Sequence, residues 1–154
     1  MKLFKFLFIL FNANAFFFKK SVKLQKIITR NNSYANFVDN DSYIYLKLSG
    51  KGDGMIADKI TDEFIKVFAK SYNKINVLVD MNDSISANRF AIQNTIQFAR
   101  YYHSYFGKIA VVTQKKSVLR YVWIVNFAIN QQLQIKAFTN EMEASEWLES
   151  KKPN

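Results

Sequence analysis

The stretch Asp80-Met81-Asn82-Asp83-Ser84-Ile85-Ser86 follows directly on the apolar run Ile75 to Val79 and gathers two carboxylates and two hydroxyls. Several chemistries fit these residue types. Asp80 and Asp83 suit a general acid/base pair or a set of oxygen ligands for a hard cation. Ser84 and Ser86 are candidate phosphorylation sites, where a phosphate adds a charge of about −1.5 to −2. The same types also suit a plain junction between a strand and a helix. Asn, Asp and Ser cap helices and form turns because their oxygens accept from backbone N–H groups left free at a helix start. The junction reading is favoured, with Asp80 at a strand's carboxyl end, the edge where α/β sheets place ligands.

A second group, Lys115, Lys116 and Arg120, follows the run Lys108 to Thr113 and offers an anion site; a solvated basic loop is the simpler account. Tyr102 and Tyr105, beside Tyr101 and Phe106, suit a ligand pocket or partner face, or equally a helix end packed on a sheet. His103 is the chain's one histidine and lacks a neighbouring nucleophile or second ligand. Gly50-Lys51-Gly52-Asp53-Gly54 lacks the Gly-Lys-Ser/Thr ending of a phosphate loop, and Asp53 repels phosphate, so it reads as a turn. Trp123, Phe127 and Trp147 are assigned to the core.

Something must position these side chains, and composition bounds what that is. The chain has 154 residues, 49% hydrophobic and 16% aromatic, with a single proline, enough to bury one core. There is no cysteine, which excludes disulfides, thiolate metal sites and thiol chemistry. The formal charge is +10, from 22 bases and 12 acids. Seven of those bases and none of the acids lie in residues 1–34, so the remainder is only +3 and gives no footprint for nucleic acid.

Residues 1–33 read as a basic, Phe-rich amino-terminal extension. Its start combines a basic end, an apolar run and Ala13-Asn14-Ala15, the pattern of a signal peptide cleaved after residue 15. A surface-lying membrane arm within residues 1–30 and an upstream extension without function are the alternatives. The uncharged stretch Phe6 to Phe18 is too short to span a bilayer. Location follows the same split: cytoplasmic, with or without peripheral membrane contact, or exported if residues 1–15 are a signal peptide.

The body, residues 34–151, is regularly punctuated. Strands are expected near 34–38 and 43–49 as a hairpin, then a helix whose apolar face carries Ile56, Ile60, Phe64, Val67 and Phe68. A short buried strand ends at Asp80, and a second helix runs from about Ala87 to Tyr105, closed by Gly107. Lys108 to Thr113 makes a strand, Ser117 to Gln131 a helix apolar nearly all round, Leu133 to Phe138 a strand and Glu141 to Ser150 a helix. The order β-β-α-β-α-β-α-β-α predicts a single α/β domain with a mostly parallel central sheet, an antiparallel first edge strand and right-handed crossovers.

Three phrases in that order, "VLVDMND", "GKIAVVT" and "IKAFTNEMEASEWL", resemble the SpoIIAA-like family within the STAS and lipid-transfer-related α/β group. The last phrase places Phe138, Glu143, Ala144, Trp147 and Leu148. The resemblance covers roughly Tyr34 to Lys151. It implies a small noncatalytic domain that binds a protein or an apolar ligand, with no cofactor. In anti-sigma-factor antagonists of the group, a phosphorylatable serine in an Asp-Ser-Ser-Gly-type phrase lies about nine residues beyond the strand-terminal acid. Here that position is Arg89, and Ser84 and Ser86 fall too early.

Three functions are therefore expected in order. The first is a regulatory module binding a protein through the second-helix face and the strand-end loops. The second is a binder of lipid or another apolar ligand. The third is an enzyme in which Asp80, Asp83, Lys115 and Arg120 converge at the strand ends.

Overall fold

The computed structural model describes residues 25–30, 33–40, 42–71 and 73–150. The signal-like start, with Ala13 to Ala15, lies outside them. Strands β1 (Gln25–Arg30), β2 (Ser33–Asp39) and β3 (Ile44–Gly52) form an antiparallel meander. There follow α1 (Gly54–Phe68), β4 (Ile75–Ala87), α2 (Arg89–Tyr102), a 3₁₀ turn (His103–Tyr105), β5 (Phe106–Val112), α3 (Lys116–Ala128), β6 (Gln134–Phe138) and α4 (Glu141–Glu149). The six strands lie side by side in chain order, with β3 to β6 parallel. The expected α/β domain is thus present, with one strand more than the sequence suggests. β1 falls within the stretch read as extension and takes the edge position from β2.

Three helices cover one face of the sheet and one covers the other. Phe37, Leu46 and Val77 from the sheet meet Ile56, Phe64 and Phe68 of α1 and Ala99 of α2. Val118 and Val122 of α3 pack on Met81 and Val111. On the opposite face, Leu78, Ala110, Val112 and Phe138 meet Ala144 and Leu148 of α4, with Trp147 half-buried beside them. Two-sided cover explains why β4 and β5 read as nearly continuous apolar runs. Aromatic rings fill the amino end of the parallel strands: Phe68 stands 5.0 Å edge-on to Phe106 and 5.1 Å from Tyr105, which it stacks against.

The helices start where short polar side chains cap them. Asp53 Oδ1 accepts from Ile56 N at 2.9 Å, Asn88 Oδ1 from Ala91 N at 2.9 Å and Asn140 Oδ1 from Glu143 N at 2.9 Å. Asn88, and neither Asp83 nor the serines, is therefore the cap of α2. Gly107 also differs from expectation. It lies inside β5, where its missing Cβ makes room for Asn76, whose Oδ1 accepts from Lys108 N at 2.9 Å. The second helix has already ended, in the 3₁₀ turn.

The largest departure is β4 itself. It does not stop at Asp80 but continues to Ala87, paired with β3 as far as Gly52. Between the pairs Lys47↔Asp80 and Ser49↔Asp83, β3 advances two residues and β4 three. A second slip follows between Gly50↔Ser84 and Lys51↔Ser86. Each is a bulge, which bends a strand and raises its twist. Gly50 stands at the second slip with φ 79°, a left-handed conformation that glycine adopts without steric cost. The glycine-rich segment therefore extends β3 as a bulged strand, and Asp53 then caps α1.

Candidate functional site

The first bulge determines where the two aspartates point. In a regular strand, residues three apart face opposite sides of the sheet. The extra residue of β4 cancels that alternation, so Asp80 and Asp83 both reach the α4 side, where Tyr45 and Lys47 of β3 project. Tyr45 donates its hydroxyl to Asp80 Oδ2 at 3.1 Å, and the backbone N–H of Asn82 donates to Asp80 Oδ1 at 3.0 Å. Lys47 Nζ forms an ion pair with Asp83 at 2.8 Å and lies 4.0 Å from Asp80.

Electrostatics follow from this geometry. Burial, the neighbouring Asp80 charge and the hydrogen bond to it push the Tyr45 hydroxyl far above its usual range. The hydrogen bond and charge of Lys47 hold Asp83 below the ordinary carboxylate range, and the same pair raises Lys47. Asp83 is thus paired with Lys47, while Asp80 accepts hydrogen bonds from Tyr45 and from the Asn82 N–H. Among the described residues no group of three or more His, Asp or Glu is placed to hold a metal.

The remaining candidates separate. Ser84 faces the α1–α3 side and is buried, with its carbonyl accepting from Lys115 Nζ at 2.8 Å. Ser86 is exposed, within the strand. Neither serine is itself a helix cap: both lie within β4, with Ser86 bordering a recess shared with the caps Asp53 and Asn88. Lys116 and Arg120 stand on the outward face of α3 and do not join Asp80 and Asp83. Tyr102 and Tyr105 lie at the amino end of the strands, in the aromatic cluster around Phe68, away from the carboxyl-end rim. His103 Nδ1 contacts Arg100 O at 2.9 Å. Of the four residues the enzymatic reading requires, Lys115 reaches Ser84 O and its charge helps to lower Asp83, whereas Arg120 stands on the outward face of α3. Trp123 and Phe127 also depart from the core assignment, being 67% and 72% exposed.

Two features at the rim escape a reading of polar motifs. A cavity of about 190 Å³ lies between the sheet and helices α1 to α3, lined by Leu46, Leu48, Ile60, Phe98, Ile109 and Val122 among others. Its lining includes Lys51, Gly52 and Asp53, which also border a more polar recess of about 270 Å³ reaching Ser33, Ser86 and Asn88. Beside this opening, Met55 of α1 and Phe90 of α2 are 55% and 68% exposed. The two helix starts are tied together, with a Cβ at Gly54 falling 3.2 Å from Phe90 Cβ and Asn94 Nδ2 donating to Gly54 O at 3.3 Å. Ile85, also exposed, marks the second bulge at the same end. In sequence these residues pass as ordinary apolar positions of amphipathic elements.

A mixed sheet with three helices on one face and one on the other, its parallel strands ending at a bulged ribbon, defines a class of small α/β domains. Within that class, the SpoIIAA-like family profile matches residues 43–149, and the chain belongs to the SpoIIAA-like family. The fold is shared with an uncharacterized DUF3478-family protein of SpoIIAA-like fold from Shewanella loihica PV-4, at 16% identity and TM-score 0.58 over 81% of this chain and 92% of that one. It is shared with an anti-sigma factor antagonist from Mycobacterium paratuberculosis, at 12% identity and TM-score 0.58 over 80% and 100%. Unphosphorylated SpoIIAA, also an anti-sigma factor antagonist, aligns at 9% identity and TM-score 0.51 over 81% and 97%. No curated protein sequence matches the chain.

Proposed function

We propose that this domain is a noncatalytic regulatory module that binds a protein partner through the rim at the carboxyl ends of β3 and β4. The observation that carries the reading is the pair Met55 and Phe90, large apolar side chains exposed at the starts of two helices that meet at Gly54. Apolar anchors beside polar neighbours are the anatomy of a protein interface. The polar cluster next to them supports binding over chemistry, because Asp80 and Asp83 are already engaged by Tyr45 and Lys47. Two proteins of this fold are named as antagonists of another protein, which agrees with a partner-binding role. Crosslinking in native lysate tests it: the wild-type chain should enrich one specific protein, and Met55→Asp with Phe90→Asp should lose it. Equal capture by both chains would reject the rim as the interface.

The cavity favours a second reading, a small apolar ligand. Its volume exceeds the roughly 150 Å³ that accommodates benzene in an engineered apolar site, and falls below the roughly 300 Å³ typical of drug-sized ligands. Mass spectrometry of gently extracted protein should then find a copurifying apolar molecule of that size. A protein that arrives with nothing bound, and takes up no small aromatic probe, would reject this reading.

A further inference from the structure

We infer that the outward face of α3 docks on an anionic membrane surface. Folding does not account for that face. Leu119, Trp123 and Phe127 recur at spacings of four and share one side of the helix, opposite the buried Val118, Val122 and Val125. Leu119 is 39% exposed, and the Trp123 and Phe127 rings stack on each other with centroids 5.6 Å apart. Lys116 and Arg120 are exposed on the same arc, two turns and one turn respectively before Trp123 and Ile124. Lys116 also sits in the first turn of the helix, where the dipole disfavours positive charge. Exposed aromatics and a badly placed cation each weaken an isolated domain, and one anionic, partly apolar surface compensates both.

The sign of the surrounding charge selects the partner. No Asp or Glu occurs between Asp83 and Glu141, whereas Lys116 and Arg120 lie on α3, Lys115 stands at its start and Arg100 donates to Ala128 O at its end, at 2.7 Å. Protein interfaces are depleted in lysine at their centres and usually pair both signs. A bilayer accepts the whole pattern: indole and phenyl rings enter the headgroup boundary while the basic heads stay with the phosphates. Flanking Leu119 and Ile124 suit acyl chains better than nucleobases, which stack on aromatic faces alone. This surface is separate from the rim proposed above for a partner.

The test follows Trp123 in the full chain, with Trp147→Phe leaving it as the single indole. Phosphatidylglycerol-containing vesicles should shift its emission to the blue, brominated acyl chains should quench it, and phosphatidylcholine alone should do neither. Added salt should reverse the effect. Lys116→Glu with Arg120→Glu should weaken partitioning by about twentyfold or more, given about fivefold per basic residue removed. If Trp147→Phe impairs folding, Trp123→Phe in the otherwise native chain should abolish the quenching. Four results would overturn the inference: no partitioning, partitioning through the amino-terminal residues with Trp123 unmoved, a blue shift that grows with protein concentration without vesicles, or a response to oligonucleotides alone.

Discussion

Lys47 on β3 and Asp83 on β4 form a 2.8 Å ion pair that exists only because β4 carries one extra residue between Asp80 and Asp83. Both side chains are partly exposed, so the pair is screened and its energy is modest. Its pH signature is nonetheless definite. Asp83 is depressed by Lys47, so the stability it adds is complete above the ordinary carboxylate range and is lost as pH falls through the lowered value. Urea unfolding of the wild type and Asp83→Asn should differ at neutral pH and converge in acid. Lys47→Met should raise the Asp83 midpoint measured by NMR; an unmoved midpoint would show that the pair does not persist in solution.

Tyr45 responds in the opposite pH range. Its neutral form is favoured in the folded chain by burial and by Asp80, so the native state holds a proton that the unfolded state releases near pH 10. Stability should fall as pH rises above about 10, and spectrophotometric titration should show one tyrosine ionising after the rest. Asp80→Asn should bring Tyr45 down toward its neighbours. Tyr45→Phe should remove the late transition while leaving the others in place.

Lys108 is a buried cation that fixes α4. Its Nζ donates to Trp147 O at 2.7 Å, to Ser150 O at 2.6 Å and to Ser150 Oγ at 2.8 Å, and lies 5.3 Å from the Trp147 ring. These are the carbonyls at the helix's C-terminus, where the dipole favours a positive charge. Lys108→Met keeps the aliphatic stem and removes the donors, and should cost about 2 kcal/mol in urea unfolding. Hydrogen exchange should localise the loss to residues 141–150; uniform loosening would reject the capping role.

Much of this was legible beforehand, and the failures share a cause. The apolar runs around Val77 and Val111, the helical face from Ile56 to Phe68 and the closing phrase with Phe138, Ala144 and Leu148 report burial, which periodicity reads well. Bulges leave no such trace. A strand with two extra residues loses its alternation, so Asp83, Ser84 and Ser86 resembled a helix start, and Lys47 and Tyr45 offered nothing to connect them with Asp80. Trp123 and Phe127 were misassigned because apolar residues on both sides of α3 look identical to a core helix in sequence. Gly50, read as part of a turn that ends the strand, supplies a positive φ within a continuing strand.

The cavity between the sheet and α1 to α3 invites filling. Ala91, 5% exposed on α2, is among the residues that line it. Ala91→Leu adds three carbons into about 190 Å³ and keeps a good helix former. It should stabilise the domain by about 1 kcal/mol, the gain typical of filling a void. The same change should abolish binding of a small probe such as indole, measured as a thermal shift on the wild type. If Ala91→Leu stabilises the chain and rim-dependent capture of a partner survives, the void is a packing defect alone. If stability rises while a regulatory output falls, the space serves a ligand whose entry at Gly52 and Asp53 borders the partner rim.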